Sequence, residues 1–230
     1  MGADAKRRVT HNTGAHVDRV LPIATLLNDL GSSSPVAQAH GRALLERHGL
    51  TRAGKQPLAL MKVERARALL ASELRRVCGD ADCGQLAAAR WPAKEPVLAE
   101  SAHCDICGGS SQRRAAQLLA EALHQAGISR VLLLGGTPPQ HTTLRDLLAS
   151  DSVELRLIDG SARAHSAGEA ARQIAWTQLL VVWASTPLHH KVSVAYTSQA
   201  SPGLRVITVA RRGVESLCRG IAERVGHRQG

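Results

Sequence analysis

Four of the five cysteines in this 230-residue chain fall in one stretch, at a spacing that suits metal coordination. Cys78 and Cys83 are followed, twenty residues on, by Cys104 and Cys107, a C-x4-C-x20-C-x2-C pattern. Two cysteine knuckles so arranged predict a tetrahedral zinc site. Gly84 follows Cys83 and Gly108-Gly109 follow Cys107, which frees backbone N–H groups to turn toward the sulfurs. Zn²⁺ would keep the thiols deprotonated and cross-link a stretch with few apolar residues of its own. A redox dithiol would sit at a helix start after a strand, and it leaves the second pair unexplained. Two structural disulfides would be unusual in a cytoplasmic chain. His103, beside Cys104, reads as a bystander rather than a substitute ligand. Four ligands leave no open position, so the predicted role is structural. Cys218 stands apart and reads as a small buried hydrophobe.

A second group of residues falls where short apolar runs end. These are Gly135-Gly136-Thr137, Asp159-Gly160, Ser185-Thr186 and Arg211-Arg212-Gly213. Flexible backbone, hydroxyls, one carboxylate and two guanidiniums resemble an anion-binding crevice more than an acid/base site. Gly135, Gly136, Thr137, Asp159, Ser185 and Thr186 are therefore the candidate ligand contacts, with Arg211 and Arg212 as candidate phosphate contacts. LGGTPPQH is not the G-x-G-x-x-G of a dinucleotide fold. Asp159 stands 24 residues after Gly135, where a ribose-binding acid would fall, yet Asp-Gly also serves as a plain turn. A metal-dependent nuclease would need clustered carboxylates, and only Asp159 lies at a strand end. The adjacent pair His189-His190 would point in different directions on a helix, which disfavours a metal pair.

The elements that must carry these groups follow from periodicity and punctuation. Residues 1–16 read as a flexible basic leader, and 17–77 as a helical region. Within it, helices are predicted over 17–30, from Pro35 to about His48 with Ser34 as N-cap, and from Pro57 to about Val77. On the last of these, Lys62, Arg65 and Arg76 share a sector of about 60° at 100° per residue. Three helices with a basic final one are compatible with a helix-turn-helix-like reader of duplex nucleic acid, and equally with a small bundle carrying a solvated basic face. Residues 78–110 form the cysteine module. From Ser111 to the end, four apolar runs alternate with helical patterns: 130–134, 153–158, 179–184 and 204–209. That alternation predicts an α/β domain over 111–230, a four-stranded parallel Rossmann- or flavodoxin-like sheet in the order 2-1-3-4. In such sheets the crevice lies at the carboxyl ends of the strands.

Lys and Arg total 29 against 19 acids, a formal charge of +10. The charge is uneven: +7 over 1–77, −3 over 78–110 and +6 over 111–230. A basic balance of this size points to a polyanionic partner, although an Arg- and Ala-rich proteome gives a blander origin for it. Three Trp, one Tyr and no Phe disfavour readers that stack single-stranded bases on rings. No apolar run approaches a membrane span, and the first sixteen residues lack a signal-peptide core, so the expected location is the cytoplasm.

The stretch from about Arg130 to Val225 resembles a small bacterial family known only as "domain of unknown function 2325". VLLLGG at the first strand, ELRLIDG at the second, VVWASTPLHHKV at the third and RVITVARRG at the fourth carry the resemblance. It covers about 40% of the chain and leaves out the helical and cysteine-bearing regions. The resemblance implies a compact Rossmann-like fold and no established chemistry.

Taken together, these features lead us to expect a non-enzymatic bacterial nucleic-acid-binding protein with a structural zinc site. DNA is preferred to RNA as its partner, and membership of a mobile-element or defence complex with other protein subunits fits the pattern. The alternatives are a sensor of a nucleotide or other phosphorylated ligand, using the crevice, and an interaction subunit for an acidic protein or RNA.

Overall fold

A computed structural model describes residues 20–149, 151–159, 166–185 and 190–226. The leader over 1–16, and Gly160, Thr186 and His189 of the strand-end group, lie outside the described residues. The chain divides into two compact units, Met1–Arg75 and Arg76–Gly230.

The first unit is a short two-stranded ribbon with three helices: β1 (Val20–Pro22), α1 (Ile23–Asp29), α2 (Pro35–Arg47), β2 (Pro57–Ala59) and α3 (Val63–Glu73). Helix α2 starts as its sequence predicts, with the Ser34 hydroxyl accepting from Ala37 N–H at 3.2 Å and Pro35 in the first turn. Elsewhere the helical periodicity is overridden. Pro22 pushes Leu21 before it into extended backbone. Val20–Pro22 and Pro57–Ala59 pair antiparallel, in the register Val20↔Ala59 and Pro22↔Pro57, instead of lying in helices. After β2 a 3₁₀ turn, Leu60–Lys62, leads into α3. Ile23, Leu26, Leu27, Leu45, Leu58, Ala66 and Leu70 fill the core.

This overturns the expected basic face. The long helix from Pro57 to Val77 does not exist: Lys62 lies in the 3₁₀ turn, Arg65 in α3, and Arg76 beyond the helix in the second unit. Leu74, with ψ near 125°, ends α3. Nor is there a tight turn between α2 and α3, because residues 48–62 carry β2 and the 3₁₀ turn.

The second unit opens with β3 (Arg76–Val77), α4 (Ala81–Arg90) and β4 (Val97–Leu98), followed by α5 (Ser111–Gln125). It continues through β5 (Arg130–Leu134), α6 (Pro138–Leu148), β6 (Glu154–Ile158), α7 (Ala167–Trp176) and β7 (Leu179–Trp183). Helix α8 (His190–Thr197), β8 (Arg205–Val209) and α9 (Val214–Gly226) complete it. Strands β6, β5, β7 and β8 lie side by side in that order, all parallel, which is the predicted 2-1-3-4 arrangement. Alternate residues feed two cores. Val131, Leu133, Val181, Trp183, Ile207 and Val209 pack with α5 and α9 on one face, and Leu132, Leu134, Leu180 and Val182 pack with Ala170, Ile174 and Tyr196 on the other. The central strand β7 is buried at every position, which is why its sequence is an unbroken apolar run. No helix among the described residues is long and apolar enough to cross a membrane.

Candidate metal centre

The pairing of β3 with β4 brings the two cysteine knuckles together. Arg76 lies opposite Val97 and Val77 opposite Leu98 in a two-residue parallel ladder, so the chain leaves both strands toward the same end. Cys78 follows β3 directly, and Cys83 sits in the first turn of α4. That helix has a clear sequence signal, Asp80 before an Ala-rich run, and the Asp80 carboxylate accepts from Asp82 N–H at 3.0 Å. A 3₁₀ turn, Ser101–His103, delivers Cys104, and Gly108 N–H closes the second knuckle on the Cys104 carbonyl at 2.8 Å. Positive φ at Gly108 and Gly109 makes that tight turn possible.

All four thiols are buried, and their sulfurs lie within 4.8 Å of one another, with Cys78 and Cys107 at 3.9 Å. A metal–sulfur bond of about 2.3 Å in tetrahedral geometry implies sulfurs about 3.8 Å apart, so the group can hold one metal ion. Bridging sulfides would spread the cysteines of an iron–sulfur cluster more widely. The surroundings also suit thiolates. Burial opposes ionisation of Cys104, but backbone N–H groups of Cys107, Cys78 and Ile106 bring its thiol down from an ordinary 9.0 to about 7. Burial raises Cys83 and Cys107, and the neighbouring sulfurs push Cys83 further the same way. Val77, Leu86, Ala87 and Ile106 pack around the cysteines, with Trp91 and Leu118 against them. His103, half-buried, has its Nδ1 4.0 Å from the Glu100 carboxylate.

Arginines meet the acids of this segment. Arg114 on α5 lies 2.9 Å from the Asp80 carboxylate, and its charge is favoured by Asp80 and by the thiols of Cys83 and Cys107. Arg219 on α9 reaches Asp82 at 2.8 Å and Glu215 at 3.6 Å. Arg76 binds Asp105 through both its guanidinium and its backbone N–H, each at 2.7 Å. These contacts make the cysteine segment part of the same unit as the sheet. Arg114 and Arg219 were not singled out by the sequence, because nothing local marks a partner that lies in another element.

At the strand ends, the Gly-Gly turn has a packing role. A Cβ on Gly136, whose φ is 84°, would lie 2.9 Å from the buried Trp183 ring and 3.0 Å from His141 Nε2. Gly135 N–H is bound to the Ile158 carbonyl, and its own carbonyl meets His141 Nε2 at 2.8 Å. Thr137 caps α6, its N–H bound to Gln140 Oε1 at 2.9 Å, and Pro138 and Pro139 then supply no N–H at all. The β5 end therefore offers an incoming phosphate few donors. Arg211 turns back to Glu223 at 3.0 Å, and its carbonyl accepts the Trp183 indole N–H. Arg212 is exposed, Asp159 is half-buried at the end of β6, and Ser185 Oγ is buried without a hydrogen-bond partner among the described residues.

Comparison of the chain with protein-family models, with curated proteins and with solved structures found no match.

Proposed function

We propose that this chain is a non-enzymatic nucleic-acid-binding protein, with DNA as the preferred partner, built around a structural zinc ion. The observation that carries the reading is where cations stand without acids. Between residues 40 and 63 the chain holds Arg42, Arg47, Arg52, Lys55 and Lys62 against the single acid Glu46. Arg47, Arg52, Lys55 and Lys62 are exposed. Two hydrogen bonds gather them around the loop between α2 and β2. Arg42 donates to the Lys55 carbonyl at 2.9 Å, and Lys62 Nζ donates to the Leu50 carbonyl at 3.1 Å. In the second unit Arg76, Arg114, Arg211 and Arg219 are each held by carboxylates, while Arg113, Arg145, Arg172 and Arg212 are exposed and scattered over several elements. The loop, where five cations meet one acid, is the densest basic stretch and is assigned the phosphate contacts, with Arg65 one turn into α3.

Cys78, Cys83, Cys104 and Cys107 would hold the zinc. Bound there, the ion supplies a cross-link and no open coordination position, and Arg114 offsets part of the thiolate charge. The 2-1-3-4 parallel order supports reading the second unit's sheet as Rossmann-like, in keeping with the bacterial family that its strand motifs resemble.

Duplex binding at low salt, followed by titration with salt, tests the function. Five phosphate contacts give a slope of log K against log salt of about −4.5, a loss of roughly two to three orders of magnitude between 50 and 200 mM. Absence of binding at the lowest salt would refute the reading. Metal analysis of the purified chain tests the zinc separately.

A further inference from the structure

The most exposed large apolar residue among those described lies inside the basic region. Met61 is 89% exposed and Leu60 beside it 51%, and both sit in the 3₁₀ turn between β2 and α3. Val20, opposite Ala59 in the ribbon, is the third exposed apolar side chain at this tip. The turn is braced from below. Leu58 and Val63 on either side of it are buried, Ile23 N–H bonds the Gln56 carbonyl at 2.9 Å, and Lys62 is tied to Leu50. Exposed cations accompany it along the chain: Lys62 adjoining, Arg65 one turn on, and Arg52 and Lys55 on the preceding loop, to which Lys62 is bonded at Leu50. The acid nearest in sequence, Glu64, faces Arg67 at 4.0 Å.

We infer that Leu60 and Met61 form a wedge that enters between base pairs of a duplex while the accompanying cations hold the flanking phosphates. This rests on the nucleic-acid reading above and adds a distortion of the duplex to it. Size and charge decide in favour of this occupant. A stable protein partner needs about 800 Å² on each side, far more than two or three side chains offer. Unstacking one base step needs only one or two apolar wedges, and architectural proteins use Met and Leu for it beside Arg and Lys. Single strands are disfavoured, because residues 1–75 contain no Phe, Tyr or Trp on which bases could stack.

The test uses the full chain and a short duplex with a fluorescent base analogue at its centre and a dye pair at its ends. The expected result is a rise in analogue fluorescence and a shortened end-to-end distance on binding. Leu60→Ala with Met61→Ala should abolish both while leaving the thermal midpoint and the salt slope unchanged. Lys55→Ala and Lys62→Ala should each reduce the slope by about 1. Wild-type binding without unstacking, or a double variant that distorts the duplex like wild type, would overturn the wedge and leave nucleic-acid binding standing. A double variant that changes oligomeric state and not duplex distortion would place a second copy on the tip, and overturns it too. Failure of the wild type to bind any duplex at low salt overturns both proposals.

Discussion

Cys83, Cys104 and Cys107 meet different local fields, and this has measurable results. Cys83 and Cys107, raised by burial, enter neutral solution protonated and must each release a proton when a metal binds. Zinc affinity should therefore rise from pH 6 to pH 8, with proton uptake by the buffer visible in calorimetry; a pH-independent affinity would contradict the assignment. Arg114→Met removes the cation beside the cysteine group and the partner of Asp80, so metal retention against a chelator should fall about 10- to 100-fold, the range typical of outer-shell partners. Arg114→Lys should recover part of that loss. Asp151 shows the opposite logic. Burial raises its carboxyl, against the pull of Arg90, and its Oδ2 has no hydrogen-bond partner among the described residues. A raised carboxyl favours the protonated fold, so its ionisation costs stability once pH passes the folded-state value. Asp151→Asn should raise the melting midpoint at pH 7 and lose that advantage near pH 3; a lower midpoint at pH 7 would show that the charge is useful.

Elements differ in how plainly the sequence announces them. The α/β alternation was legible because β5 and β7 are buried on both faces and read as unbroken apolar runs; in the first unit, a Ser-Pro start marked α2. Ser34→Ala should cost about 1 kcal/mol in denaturant unfolding, and Ser34→Gly only a few tenths. The first unit was less legible. Helical spacing at 17–30 outweighed Pro22, although it forces extended backbone before it, a signal present in the sequence; Pro57 gave no such signal, since proline also opens helices. The cysteine ligands were legible from spacing, whereas the ladder of β3 with β4 was not, since two residues per strand leave no period to detect. Gly135-Gly136 looked like a phosphate turn, but its φ values serve the approach of Trp183, a contact made across the sheet. Gly136→Ala combines that clash with a left-handed backbone and should cost about 3 kcal/mol, read from the urea midpoint.

At the scale of the molecule, the net charge of +10 divides as +6 over residues 1–75 and +4 over residues 76–230. The scarcity of aromatic residues has an experimental corollary. All three tryptophans and the single tyrosine lie in the second unit, and each tryptophan samples different surroundings. Trp91 leans on the cysteine cluster, Trp176 lies under Arg156 at 3.9 Å, and Trp183 is sealed in the sheet core. Intrinsic emission is thus a built-in optical reporter. Stripping the metal should shift Trp91, unfolding should redden Trp183, and cobalt in the cysteine site should quench Trp91 by energy transfer. Residues 1–75 emit nothing, so a ligand held by the first unit alone produces no direct signal in a tryptophan titration and is visible only from a label on the ligand itself.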